Sequence, residues 1–420
     1  MALSIDEQCL QGAKAEIMIP GKGPVVADGT VIWKNNTIVY AGPQESLPEQ
    51  YANVSCSKHK ILMPGMWDCH IHFLGATSAM MHTFTTTSQS LAGARSVGDL
   101  YSTVMAGFTS VREVGGYGCE LTKAVQEGRV VGPNIYSSHS AISMTAGHGD
   151  IHSMHLDGLK DLCAHGLPFT IADGVDECRK AVRLQLRRGA RVIKVCASGG
   201  VVSDIDNPHH QEYSLEELKA IVEEARRADR VVAAHCHGKA GIMAALEAGC
   251  ATIEHGSYLD EEAIDIMIEK GVLLVATRTI LEGGLAAPQF FTPGSYQKML
   301  QVADAHANAY ALAIKKGVTI ALGTDLFTND DKGLLAFGKN GQELGYAVKA
   351  GLSPLEAIQA ATANGPLTIG PQAPLSGQIK EGYDADIIAV TENPLEDVAV
   401  LASAQNISHI WKQGILIKSP

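Results

Sequence analysis

Short apolar runs, each carrying a residue able to bind a metal, constrain this chain more than any other feature. His70 and His72 close the first run as a His-Ile-His triplet, and Lys194, His235, His255 and Asp325 each belong to a later run of their own. A parallel β/α barrel gathers residues from the carboxyl ends of separate strands at a single mouth. Six donors at such a mouth can hold two divalent ions and the water between them.

The rest of the chain fits that plan. Strand-like runs cover residues 62–72, 109–114, 135–138, 192–197, 231–237, 252–255, 272–278 and 319–325, the eight that a closed (β/α)8 TIM-type barrel needs. Helical periodicity intervenes at 215–228, where Ser214 and Glu217 fit a capping box, and at 354–363, capped by Ser353 and stopped near Gly365. Nearly continuous apolar strands alternating with helices are the pattern of a parallel sheet covered on its outside, an α/β fold. Two long connections, 73–92 and 141–171, leave strand ends on the presumed active face and read as pocket walls.

Both chain ends read as β-rich instead. Val31-Ile32-Trp33, Asn35-Asn36 and Thr37–Tyr40 spell strand, turn and strand, and the runs 385–390, 407–411 and 414–417 repeat the pattern. Neither end has enough apolar residues to fold alone. Residues 1–62 with 373–420 are therefore expected to form one small β-sandwich module outside a barrel of residues 63–372.

Composition narrows the partners. Of 420 residues, 46% are hydrophobic, enough for a large core, and a formal charge of −12 argues against nucleic acid or an anionic membrane as partner. Nine dispersed cysteines with no CxxC pair read as free thiols in a reducing compartment. Cys69, Cys196 and Cys236 lie near candidate ligands, but cysteine packs well in strands and these read as core. The amino terminus lacks the basic start and apolar run of a signal peptide, and no window approaches the ~20 apolar residues of a membrane span. A soluble, cytoplasmic protein is expected.

Taken one by one, the donors divide into roles. His70 and His72, two apart on a strand, share a face, as do His235 and His237. His235 is the deeper of its pair and the better ligand; His237, nearer the mouth, can hydrogen-bond a substrate carbonyl. Lys194 sits inside Val192-Ile193-Lys194-Val195, where a charge is costly unless paired with a carboxylate. Desolvation also favours the neutral amine, which can add carbon dioxide and become a carbamate able to bridge two metals. Asp325 ends an apolar strand, where it either caps a helix or touches a metal and shuttles a proton.

Together these residues resemble the amidohydrolase superfamily in its two-metal, carboxylated-lysine form. The resemblance runs through Met63-Pro64-Gly65, Trp67–Phe73, Tyr117–Glu120, Thr145–Asp150, Arg188–Val195, His237–Ala245 and Gly323–Asp325, and is strongest to a branch of ochratoxinase-like amidases and related carboxypeptidase-like and Xaa-Pro dipeptidase-like enzymes. It implies that His70, His72 and Asp325 hold one metal, that His235 and His255 hold the other, and that carboxylated Lys194 bridges them. It also implies zinc, which spacing alone does not separate from manganese or cobalt, and a homo-oligomer. Residues 326–333 depart from the pattern of that branch.

The expected reaction is hydrolysis of the amide bond of an N-acyl amino acid or dipeptide-like small molecule, an ochratoxin-type amide included. A metal-bridging hydroxide attacks, Asp325 carries the proton to the leaving nitrogen, and His237 steadies the carbonyl oxygen. The leaving group's α-carboxylate needs a donor, for which His148, Tyr213 and Arg278 are candidates; Met80, Met81, Phe84 and Ile142 are candidates for the pocket wall. The alternative is a dipeptidase or carboxypeptidase for Xaa-Pro or basic carboxyl-terminal residues. A cyclic-amide hydrolase with one metal would lack Lys194.

Overall fold

The computed structural model describes residues 10–328, 333 and 335–420, so residues 329–332 of the divergent segment after Asp325 lie outside it. In chain order the first strands are β1 (Leu10–Met18), β2 (Val26–Lys34), β3 (Thr37–Pro43) and β4 (Cys56–Pro64). Next come β5 (Met66–Ala76), β6 (Phe108–Glu113), β7 (Asn134–Ser137), β8 (Ala141–Ser143) and β9 (Phe169–Ile171). Then follow β10 (Ile193–Cys196), β11 (Val232–Cys236), β12 (Thr252–His255), β13 (Leu273–Val275) and β14 (Leu326–Thr328). The last three are β15 (Ile387–Val390), β16 (Ile407–Lys412) and β17 (Ile415–Lys418).

The two chain ends share one seven-stranded sheet in the order β17-β16-β15-β4-β1-β2-β3. Asn35, at φ 55°, makes the tight β2–β3 turn. The sheet is far from flat. Trp33 on β2 and Trp411 on β16 are four strand spacings apart in the order, about 19 Å at ~4.8 Å per strand, yet their rings meet at 5.7 Å. Trp33 Nε1 also donates to the carbonyl of Gly414 at 3.1 Å. The sheet therefore curls around a core of Ala13, Met18, Val31, Trp33, Leu62, Ile387 and Trp411.

The middle of the chain forms two wholly parallel sheets, β13-β12-β11-β10-β8-β9 and β14-β5-β6-β7. Helices Gly174–Arg188, Leu215–Arg226, Lys239–Ala248 and Glu261–Lys270 follow one another between strands and bury their apolar faces. The expected capping box of Ser214 with Glu217 is present, and Ser353, expected as a cap, forms a second box with Glu356. The architecture is thus α/β with parallel sheets. Register keeps the donors in step: Cys196 faces His235 and Cys236 faces His255 across neighbouring strands.

Several expected strands differ in detail. The run 62–72 divides at Gly65, where the chain passes from the curled sheet to the parallel one; a Cβ there would lie 2.1 Å from Thr109 Oγ1. Residues 319–325 make no full ladder, being shared between neighbours: a Leu274–Ile320 bridge on one side, Cys69 N to Leu322 O (2.7 Å) and Thr324 N to His70 O (3.2 Å) on the other. The run 272–278 ends at Val275, and Arg278 opens the helix Arg278–Ala286. β7 and β8 flank a bend at His139 (φ 60°), and Arg191 N, just before β10, donates to Ser137 O at 2.8 Å.

Candidate active site

All six donors converge. His70, His72, Lys194, His235, His255 and Asp325 line one cavity of ≈ 90 Å³ together with His148 and His237. Within it, the ligand atoms of His70, His72 and Asp325 lie within 4.8 Å of one another, as do those of His235, His237 and His255. The second group is larger than the sequence implied, since His237 stands among the donors as well as at the mouth.

Hydrogen bonds on the far side of each ring decide what it can offer. His70 Nδ1 is 2.8 Å from Glu254 Oε2 and His72 Nδ1 is 2.7 Å from the carbonyl of Gly115. Both partners only accept, so both histidines carry their proton on Nδ1 and leave a lone pair on Nε2. Those Nε2 atoms lie 3.5 Å and 3.0 Å from Asp325 Oδ1. Two imidazole lone pairs facing one carboxylate oxygen repel unless a cation or a proton sits between them. The donor set therefore fits a divalent ion.

On the other side, His255 Nδ1 meets Thr277 Oγ1 and His237 Nδ1 meets Ser257 Oγ, each at 2.7 Å. Hydroxyls donate or accept, so these two rings can present either a lone pair or an N–H. His235 Nε2 lies 3.4 Å from Gly199 O, which leaves Nδ1 free to ligate. Burial drives His237 down to about 3 and His70 down to about 4, so the rings are neutral, the form that binds metals.

Lys194 lines the same cavity, 3% exposed, and among the described residues its amine forms no hydrogen bond. Burial lowers its pKa. Asp325 is partly buried, which would raise its carboxyl, but His70 and His72 carry it below its ordinary value. Beneath them Glu254 ties the floor together. Burial would raise Glu254 too, yet Arg112 pairs with it at 2.7 Å and His70 donates to it, so it is held well below the usual carboxylate range. The sequence reading missed Arg112 and Glu254; the available signal was one basic and one acidic residue, each inside a run expected to be a buried strand.

The remaining candidates separate. His148 is at the cavity, its ring stacked on His235 at 4.2 Å. Tyr213 is not: it is 1% exposed in the core and donates its hydroxyl to Ala172 O at 2.9 Å. Arg278 also turns away, pairing with Glu282 at 2.8 Å and donating to Ala303 O, because its place at a helix start swings it off the strand axis. A second cavity of ≈ 100 Å³ adjoins the first, lined by Leu74, Met81, Phe84, Pro168, Phe169, Val202 and Phe327 with His72, His148 and Asp325. Met81 and Phe84 are thus wall residues. Ile142 is core, at 0% exposed, and Met80 lines neither cavity. Cys69, Cys196 and Cys236 are buried, and burial raises each thiol.

With this geometry in hand, comparison with known proteins is decisive. The model of the amidohydrolase family matches residues 61–417. The chain belongs to the amidohydrolase family. This amidohydrolase is 46% identical to the ochratoxinase of Aspergillus niger over 435 aligned residues, covering 99% of this chain and 88% of that one. The crystal structure of A. niger ochratoxinase superposes with a TM-score of 0.91, covering 99% of this chain and 97% of that chain. A prolidase complexed with N-methylphosphonate-L-proline is 31% identical, with a TM-score of 0.89 over 98% of this chain and 100% of the other. A Xaa-Pro dipeptidase with bound methionine is 28% identical, with a TM-score of 0.84 at the same coverage. The amidohydrolase is accordingly an enzyme that hydrolyses amide bonds, and its two donor groups accord with the metal dependence general in the family. No helix among the described residues is long and apolar enough to cross a membrane.

Proposed function

We propose that this amidohydrolase cleaves the amide bond of an N-acyl amino acid or dipeptide-like molecule, an ochratoxin-type amide included, releasing a carboxyl-terminal amino acid. One observation carries the reading: the donors of both groups, a buried amine and an apolar cavity open onto each other. In this reading His70, His72 and Asp325 hold one divalent ion and His235 and His255 the other, zinc in both. Lys194, once its neutral amine has added carbon dioxide and released a proton, would supply an anionic carbamate to that pair of sites. Once bound, the ions supply Lewis acidity and a water acidified towards neutrality.

The chain's own residues do the remainder. Asp325 accepts the proton of the attacking water on its carboxylate and returns it to the departing nitrogen. His237, its Nδ1 accepting from Ser257, offers Nε2–H to the carbonyl oxygen. His148 offers its ring to the α-carboxylate of the leaving amino acid. The wall of Leu74, Met81, Phe84, Phe169 and Phe327 excludes water and favours an apolar or aromatic group.

The same reading includes the architecture. A single eight-stranded barrel over 63–372 is supported by the bonds that link both parallel sheets, Arg191 N to Ser137 O and the shared contacts of residues 319–325. The curled sheet lies within the proposed module of 1–62 and 373–420, of which residues 1–9 fall outside the described ones, and is the barrel's sandwich-like companion, although β4 runs on to Pro64 across that boundary. A cytoplasmic setting is supported by eight free cysteines among the described residues. Association with further copies follows from the family resemblance.

The second reading, a dipeptidase for Xaa-Pro or basic residues, is favoured by the prolidase likeness. Among the described residues the second cavity presents no acid besides Asp325, which argues against a basic side chain. Metal-replete protein assayed with N-acyl-phenylalanine, N-acyl-leucine, an ochratoxin-type amide, Xaa-Pro and Xaa-Arg substrates, reading released amino acids, distinguishes them. Apolar N-acyl amino acids should be hydrolysed fastest; no release from any substrate sinks both readings.

A further inference from the structure

A lysine that never reaches either cavity organises one side of the mouth. Lys298 lies in the helix Pro293–Lys316 and lines neither cavity. Its ammonium donates to the carbonyls of Gly200 at 2.8 Å and Asp206 at 2.9 Å, and pairs with Asp206 Oδ1 at 3.3 Å. The side chains are 13% and 4% exposed, so the pair is shielded from water. The same helix start grips this loop twice more: Thr292 Oγ1 donates to Asp204 Oδ1 at 2.9 Å, and Ser295 Oγ to Val202 O at 2.7 Å.

What the loop holds is His148. Asp206 Oδ2 accepts from Gly200 N and lies 3.5 Å from His148 Nδ1, while Ser203 Oγ is 2.9 Å from that nitrogen. One face of the ring stacks on His235, and the other lies so close to Gly200 that a Cβ there would fall 2.2 Å from it. Both faces are covered and Nδ1 is engaged, so Nε2 is the nitrogen left for the cavity. Removing the Lys298 charge strands a carboxylate and two carbonyls with little water to replace it. The loop that would relax is the one that fixes the ring.

We propose that Lys298, acting through Asp206, is a positioning residue that holds His148 in place for the substrate carboxylate and thereby sets KM. This rests on the assignment of His148 to that carboxylate made above. The test compares Lys298→Met, Lys298→Arg and His148→Ala in metal-replete enzyme, on an N-acyl amino acid and on its carboxamide analogue. Lys298→Met should raise KM for the acid about tenfold with kcat within about twofold, leave the carboxamide unchanged, and be rescued by Lys298→Arg. An unchanged KM, or equal changes on both substrates, overturns the inference. If His148→Ala leaves the preference for acid over carboxamide intact, the His148 assignment and the inference fall together; if it erases that preference and Lys298→Met does not, the inference alone falls. Should Lys298→Met lose its fold by thermal midpoint, Ser203→Ala carries the test, since it removes the other Nδ1 partner without touching a charge. It must raise KM for the acid and not for the carboxamide.

Discussion

Arg112 and Glu254 are paired at 2.7 Å with neither side chain exposed to solvent, and Glu254 also receives the Nδ1 proton of His70. A metal-type donor is thereby connected to a fully buried cation through one carboxylate. Arg112 is further tied to Cys69 O at 2.6 Å and to Thr252 Oγ1 at 2.9 Å, so β5, β6 and β12 meet at this residue. The pair orients His70 and also carries part of the fold's stability.

Substituting Glu254→Gln should therefore have two effects. It leaves the Arg112 charge buried without a counter-ion, costing about 3–5 kcal/mol in a denaturant titration. It also removes the anion that holds the His70 proton on Nδ1, weakening metal affinity about 10–100-fold. The double variant Arg112→Met/Glu254→Gln should recover part of the stability and none of the metal affinity. Equal loss in single and double variants would show that the buried charge is not the cause.

Asp325→Asn separates binding from proton transfer. The amide keeps an oxygen for a cation but cannot accept the water's proton, so metal content by elemental analysis should match that of the unaltered enzyme while kcat falls about 10²–10⁴-fold. Retained turnover would remove the proton-carrying role; lost metal would make Asp325 chiefly a ligand.

Tyr213→Phe and His148→Ala should behave as opposites. Tyr213 spends its hydroxyl on Ala172 O in the core, so its loss costs about 1 kcal/mol of stability and leaves KM alone. His148→Ala should raise KM for carboxylate-bearing substrates with little change in unfolding midpoint. Steady-state kinetics beside thermal unfolding of both variants checks the pair.

Stability should also fall with rising pH through Glu113. Burial pushes its carboxyl up to about 8 from an ordinary 4.5, with Ser137 Oγ, Gly118 N and Phe73 N as partners. A folded-state value above the unfolded one means that the contribution is complete below about 4.5 and is lost as pH rises through about 8. Glu113→Gln, which can keep the same partners, should flatten that loss by a few kcal/mol between pH 5 and 8.5. Parallel denaturation midpoints for both proteins across that range would exclude Glu113 as the source.

How much of this was written in the chain depends on which residue is considered. Periodicity two put His70 beside His72 and His235 beside His237 on shared strand faces, and apolar runs announced seven of the ten parallel strands: β6, β7, β10, β11, β12, β13 and the body of β5. The other three, β8, β9 and β14, are only three residues each and fall in or beyond stretches that read as connections. Capping residues marked Ser214 and Ser353 because those signals are local, spanning four residues. The eighth run, 319–325, was apolar enough to look like a strand but divides its bonds between two neighbours, which no local pattern reveals.

By itself the amino-acid order determined the donor set, the α/β alternation and the β-character of both ends, since each arises from side chains a few positions apart. Only the tertiary structure decided which distant residues touch. It sent Tyr213 to the core and Arg278 to a helix start, placed Arg112 against Glu254, and pressed His148 between His235 and Gly200. Contacts across tens or hundreds of residues depend on strand register and loop path, and those follow from the whole core reaching its lowest free energy together.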